Sequence, residues 1–263
     1  MLPFLRIGPL LVQTPVLALL TGLWISTALI EREALHLKLN AGTILNMIFY
    51  GLLGGLIGAR LIHVSEHLHV YLSSPGSLFS LNTSTLNPLG GLIIGVTVAL
   101  LIGRRQALPF RPALDALAPG LAVLMIAIGV ANILSGNAYG SPTHLPWGIY
   151  LWGENRHPTQ IYETLTALAI FVLWKANSTG SQGPGIRFLQ VTALSAGARI
   201  LLEAFRGDSL IWPGGYRAAQ VVGLMILAIT IQLARQWLKV EKRKKVERLC
   251  LINGTSNSTT ERR

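Results

Sequence analysis

Charge is what this sequence has least of. Of its 263 residues only 13% are Asp, Glu, Lys or Arg, and only 11 of them are acidic. Soluble domains average about a quarter charged residues, so an ordinary soluble globular protein is excluded. Cysteine is almost absent as well. Cys250 stands alone, and one thiol builds neither a disulfide framework nor a CxxC metal site. No internal repeat is evident, and no stretch reads as a second soluble domain. Met1 to Pro9 does not resemble a cleavable signal, because the apolar run behind it is long enough to span a bilayer.

What is abundant is hydrophobicity: 51% of residues, with mean hydropathy +0.51. Seven apolar stretches stand out, at about 10–30, 43–64, 88–103, 118–135, 161–174, 187–205 and 218–238. A helical span needs roughly 20 such residues. The stretches are too uniformly apolar for barrel strands, which would alternate. Helices satisfy their own backbone in lipid. The expected fold is an all-α polytopic membrane protein with about seven transmembrane helices over residues 1–238. A basic, Ser/Thr/Asn-rich tail at 239–263 is expected to be disordered.

Lys and Arg set the orientation. With the N-terminus outside, the inner loops and tail carry sixteen of the 22 basic residues, as the positive-inside rule requires. The tail run KVEKRKKVER, 239–248, follows an apolar stretch. It therefore reads as a cytoplasmic membrane-surface anchor, not a nucleic-acid patch. The other six are Arg6, Arg60, Arg156, Arg199, Arg206 and Arg217. All but Arg6 border or enter the bilayer on the outer side. That side also has a long loop, 136–160, with Trp147 and Trp152. Loops of this length are commonly functional or disordered.

Polar residues near the bilayer are the candidates for chemistry. Arg199 and Glu203 are four apart and Arg206 three further, so all three share a helix face. A Glu203–Arg206 pair can neutralise itself and snorkel. Arg199 is expected about two turns inside the helix end, where a charge normally faces a cavity or partner. Asn132 suits helix packing or a head group, and Arg60 suits snorkelling or binding. Asp115 reads as an acid favouring the dipole of its own helix start. His63, His67 and His69 do not share one face, so no metal is expected. In RHPTQIYE, 156–163, Pro158 suits a helix start and Glu163 its first turn. Arginine's planar fork suits phosphate, so the ligand most simply inferred is an anionic phospholipid.

Read in order, IGPLLV (7–12), GARLIHV (58–64), GGLIIG (90–95), LDALAPG (114–120), NILSGNAYG (132–140), LPWGIY (145–150), RHPTQIYE (156–163) and GARILLEAFR (197–206) resemble the prolipoprotein diacylglyceryl transferase family. The resemblance implies a bacterial inner-membrane enzyme needing no cofactor. Its partners would be phosphatidylglycerol and the signal segment of a lipoprotein precursor. It would move the diacylglyceryl group to a lipobox cysteine thiol at the outer face. By resemblance, Arg199, Glu203 and His157 are the catalytic candidates. Arg60, Asn132, Arg156, Arg206, Tyr139, Gln160, Tyr162 and Glu163 are those for lipid or phosphate. The chain departs from the family pattern at Pro15, Leu89, Gly129, Asn137 and Ser195. Leu89 and Gly129 replace a histidine and an arginine. A catalytically inactive relative that binds anionic lipid or signal segments is one alternative, and a transporter is another.

Overall fold

The computed structural model describes residues 4–7, 10–73, 76, 85–177 and 183–260. A hairpin opens the chain, β1 (Phe4–Ile7) paired antiparallel with β2 (Leu10–Gln13). The helices are α1 (Thr14–His36), α2 (Ala41–Glu66), the short α3 (Leu68–Ser73), α4 (Pro88–Arg105), α5 (Phe110–Ser135), α6 (Thr159–Ala176), α7 (Ile186–Leu202) and α8 (Ala218–Thr260). A second hairpin, β3 (Ile149–Leu151) with β4 (Glu154–Arg156), lies between α5 and α6. The all-α polytopic expectation holds. Seven of the helices fall on the seven apolar stretches, and six are long and apolar enough to cross a membrane. The seventh, α6, opens with Gln160, Tyr162 and Glu163, which dilute its apolar character.

Two boundaries differ from the sequence reading. The first stretch begins as strand: Leu11 pairs with Arg6, and helix starts only at Thr14. At the other end, α8 continues through 239–260, the segment whose composition reads as tail.

The chain divides into two units, one of residues 1–30 and 114–263 and one of residues 31–113. In the second unit, α2 and α4 pack along their length. Lipid gives helices no hydrophobic reason to associate, so small residues that let backbones close up take over. Here Gly51 and Gly55 of α2 meet Gly91 and Gly95 of α4. A Cβ on Gly91 would lie 2.8 Å from the Gly55 carbonyl oxygen, and one on Gly95 would lie 2.8 Å from that of Gly51. Asn40 and Asn87 cap these helices by accepting from Thr43 and Gly90 N–H.

In the first unit α7 is the hub, packed on both α6 and α8. Ala118, Ala122, Ile170 and Val191 are buried together, with Phe171, Trp174 and Phe188 against them. The start of α7 has no side chain for a cap, because Gly185 stands there at φ +87°. Asp115 of α5 supplies it. Its carboxylate accepts from the N–H of Gly185 at 2.6 Å and of Phe188 at 2.9 Å. Asp115 therefore serves the dipole of another helix, not its own. Sequence spacing shows only the neighbours of a residue along its own helix.

Candidate functional site

The last turn of α7 carries Arg199, after which the chain tightens into a 3-10 turn, Glu203–Phe205. Arg199 thus sits in the final turn and not two turns inside. The apolar stretch runs on to Phe205, but the helix stops at Leu202. Glu203 is 1% exposed and Arg206 12%. Neither reaches water as a snorkelling pair would.

Arg206 Nε and Glu203 Oε2 lie 3.8 Å apart, and a second acid for the arginines comes from α6. Glu163 Oε1 accepts from Arg199 Nη1 at 2.9 Å and from Arg206 Nη1 at 2.8 Å. Glu163 lies beyond the first turn of α6, and its role is this double ion pair, not a helix-start charge. Glu203 Oε2 approaches Arg199 Nη2 at 3.0 Å, an ion pair by distance without hydrogen-bond alignment. Asp208 grips Arg206 with both oxygens, Nε–Oδ1 2.9 Å and Nη2–Oδ2 2.8 Å. Burial opposes the Arg206 charge, but the Asp208 and Glu163 contacts outweigh it and raise the guanidinium above its ordinary value. Arg217 donates to the carbonyls of Glu203 and Arg206 and to Ser209 Oγ. In the sequence Arg217 stands out only as an outer-side arginine with no assigned role, and Asp208 is not singled out. Asp208, two residues after Arg206 in RGD, was a readable signal.

The two arginines therefore differ. Arg206 is held on three sides and is nearly buried. Arg199 keeps 39% of its side chain accessible and lines a cleft of about 140 Å³ with Gly129, Glu163, Thr166, Ser195 and Leu202. Ligand pockets for whole small molecules start at about 300 Å³. This cleft suits a polar head fragment, with any acyl chain lying outside it.

Two of the departures from the family pattern, Gly129 and Ser195, line this same cleft. A Cβ on Gly129 would meet Thr164 Oγ1 at 2.2 Å and Thr164 Cα at 3.1 Å. Helices α5 and α6 thus approach through a space that a larger residue would fill. Asn132, half-buried, is three residues from Gly129 on the same helix face.

The remaining candidates shape the loop at 136–160, which is neither irregular nor loose. It carries the β3–β4 hairpin and is laced to the site by Ser141 N–H on Phe205 O at 2.8 Å and Gly207 N–H on Tyr139 O at 2.9 Å. Gly140 is required there, because a Cβ would lie 2.3 Å from His157 O. Arg156 donates to Leu151 O and Gly140 O, pairs with Glu154 at 2.8 Å and lies over the Tyr139 ring. Gln160, buried, donates to Asn137 O at 3.0 Å. Tyr162 OH accepts from Trp147 Nε1 at 2.9 Å. The His157 ring packs on Phe205 and Tyr162, with centroids 5.3 and 6.4 Å away, and does not line the cleft. Arg60 belongs to the other unit. It donates to Thr85 and lies over the Tyr71 ring. Leu89, in the first turn of α4, is exposed.

Residues 4–235 match the family described as prolipoprotein diacylglyceryl transferase. Three relatives are each named phosphatidylglycerol–prolipoprotein diacylglyceryl transferase. The chain is 29% identical to that of Trichormus variabilis over 256 residues, covering 90% of this chain and 89% of the relative. It is 30% identical to that of Geobacillus kaustophilus over 256 residues, covering 90% and 94%. It is 27% identical to that of Clostridioides difficile over 204 residues, covering 78% and 82%.

Proposed function

The chain belongs to the prolipoprotein diacylglyceryl transferase family, and from that premise we propose that it transfers the diacylglyceryl group of phosphatidylglycerol to a lipoprotein cysteine, with Arg199 at the phosphate. The reaction forms a sulfur–carbon bond at the glycerol carbon that carries the phosphate ester. The carbon–oxygen bond breaks, and glycerol phosphate leaves with the electron pair. The attacking sulfur must be a thiolate. A phosphodiester with one negative charge becomes a monoester with two, so charge grows on the leaving phosphate. A cation preset beside it favours the transition state over the bound lipid.

The observation that carries this reading is the contrast in accessibility between Arg199 and Arg206. Arg199 is the guanidinium that lines the cleft, and its fork suits two phosphate oxygens. Glu163 and Glu203 hold it in place. Arg206, Asp208 and Arg217 fix the turn that presents it. Asn132, three residues from cleft-lining Gly129 on α5, is assigned to the head group on that spacing. Arg156, Tyr139, Gln160, Tyr162 and Glu163 build the wall and the loop that shape the approach. The Lys/Arg asymmetry supports an outer N-terminus and a site facing outward from the bacterial inner membrane. The same asymmetry supports the 239–248 run as a cytoplasmic surface anchor.

Purified protein in phosphatidylglycerol vesicles, given labelled lipid and a lipobox peptide, is expected to yield a thioether-linked diacylglyceryl peptide. No product beside a working family member would overturn the reading and favour a binding-only relative, the alternative suggested by Gly129 and Leu89.

A further inference from the structure

We propose that His63, Glu66 and His67 form a binding site for a zinc-class divalent cation at the C-terminal end of α2. The histidines at 63, 67 and 69 do not share a face. Replacing His69 with Glu66 changes that, since residues i, i+3 and i+4 lie side by side on a helix. His-x-x-Glu-His is a spacing at which helices present two zinc-binding histidines, i and i+4, and here Glu66 is the third ligand beside them. One ligand atom from each of the three residues lies within 4.8 Å of the others. The two imidazoles stack with centroids 4.5 Å apart and 27° between planes, so their edges project together. Zinc–nitrogen bonds of about 2.0–2.1 Å place tetrahedral ligand atoms ~3.3 Å apart. Glu66 and His67 are exposed and have room to close that gap.

The ligands are also oriented. His67 Nδ1 lies 3.1 Å from the His63 carbonyl oxygen. Donation there leaves Nε2 with its lone pair, the arrangement that second-shell partners impose on metal-binding histidines. Glu66 Oε1 accepts from Asn87 Nδ2 at 2.7 Å, which leaves Oε2 to face a cation. Asn87 is itself anchored at both sides: its N–H donates to Ala59 O at 3.0 Å, and its Oδ1 caps Gly90. Tyr71 sets its ring edge against His63, with centroids 6.3 Å apart. A solvated His–Glu face would need none of these supports. Two imidazoles and a carboxylate are a zinc donor set, and three protein ligands leave a fourth position open. A cation held there ties the last turn of α2 to the start of α4 through Asn87.

The test uses full-length protein without a polyhistidine tag, stripped with chelator and then dialysed against zinc. Elemental analysis is expected to find about one equivalent. Cobalt as a probe is expected to show the absorption of a tetrahedral site. His63→Ala and His67→Ala each weaken binding at least ~10-fold, and Asn87→Ser, which keeps a cap but shortens the reach to Glu66, weakens it about 10-fold. His69→Ala leaves it unchanged. Glu66→Gln, an exposed and conservative change, gives a second reading should a histidine variant misfold. No stoichiometric uptake by the unaltered protein would overturn the proposal. So would equal uptake by the His63→Ala/His67→Ala double variant, or an equal loss in His69→Ala.

Discussion

The two ends of α7 both hold a charged residue in apolar surroundings, yet they use it in opposite ways. At the N-terminal end, Asp115 gives both oxygens to backbone N–H groups, and Arg187 lies over the Trp174 ring. The cavity beside it is the larger, about 410 Å³, with walls that include Trp174, Arg187 and Leu194. At the C-terminal end, Arg199 is held by two carboxylate side chains and keeps a face on a cleft a third that size. Backbone partners cannot change, so the Asp115 cap is architecture. Side-chain partners can rotate and share, so the second can admit an anion. Accessibility of a preset cation, not cavity size, marks the site.

Substitutions at both ends and between them would break or sharpen this contrast. Arg199→Gln is expected to have the largest effect. Transfer should fall about 10²–10³-fold, or ~3–4 kcal/mol of transition-state stabilisation, in the folded fraction, with a lowered melting temperature as well because buried Glu203 keeps only Arg206, at 3.8 Å. A rate within a few-fold of the parent would remove Arg199 from the phosphate. Gly129→Ala comes next. Its Cβ overlaps Thr164, so a stability loss of about 1–3 kcal/mol is expected. Combining it with Thr164→Ala should recover part of that loss in thermal unfolding. Restoring the family arginine at Gly129 alone should therefore impair the protein and not improve it. Asp115→Ala removes the cap of α7 and should cost about 0.5–2 kcal/mol. The surviving fraction should keep the parent's turnover, and a selective loss of rate would contradict the division between the ends. His157→Phe is expected to do least, because the ring packs on aromatic neighbours away from the cleft. A change under about 10-fold in turnover fits that placement, whereas a general base would cost about 10²–10⁴.

The membrane class, the helix positions and the motif set were legible in the chain, because hydropathy and residue spacing are local properties. RHPTQIYE illustrates the boundary. Its Pro158 does stand at the start of α6, as proline chemistry predicts. Its Glu163, read as a first-turn charge, instead bridges Arg199 and Arg206 from a neighbouring helix. Likewise Arg156 carries a guanidinium suited to phosphate, but the hairpin and Tyr139 occupy it. The metal cluster shows the reverse. His69 is close in sequence but does not share a face with His63 and His67, while Glu66 acquires its orientation from Asn87, twenty-one residues away.

By itself the sequence determined that this chain lives in a membrane, because so little charge cannot coat a soluble surface, and that its apolar stretches are helices. It also determined the family, through short motifs whose order can be read without a fold. Only the tertiary structure decided which arginine remains accessible, which carboxylates hold it, and that Gly129 and Ser195 line the cleft beside it. Those are facts about pairs of helices in contact, and ion pairing and exclusion act across space between residues that the chain keeps far apart.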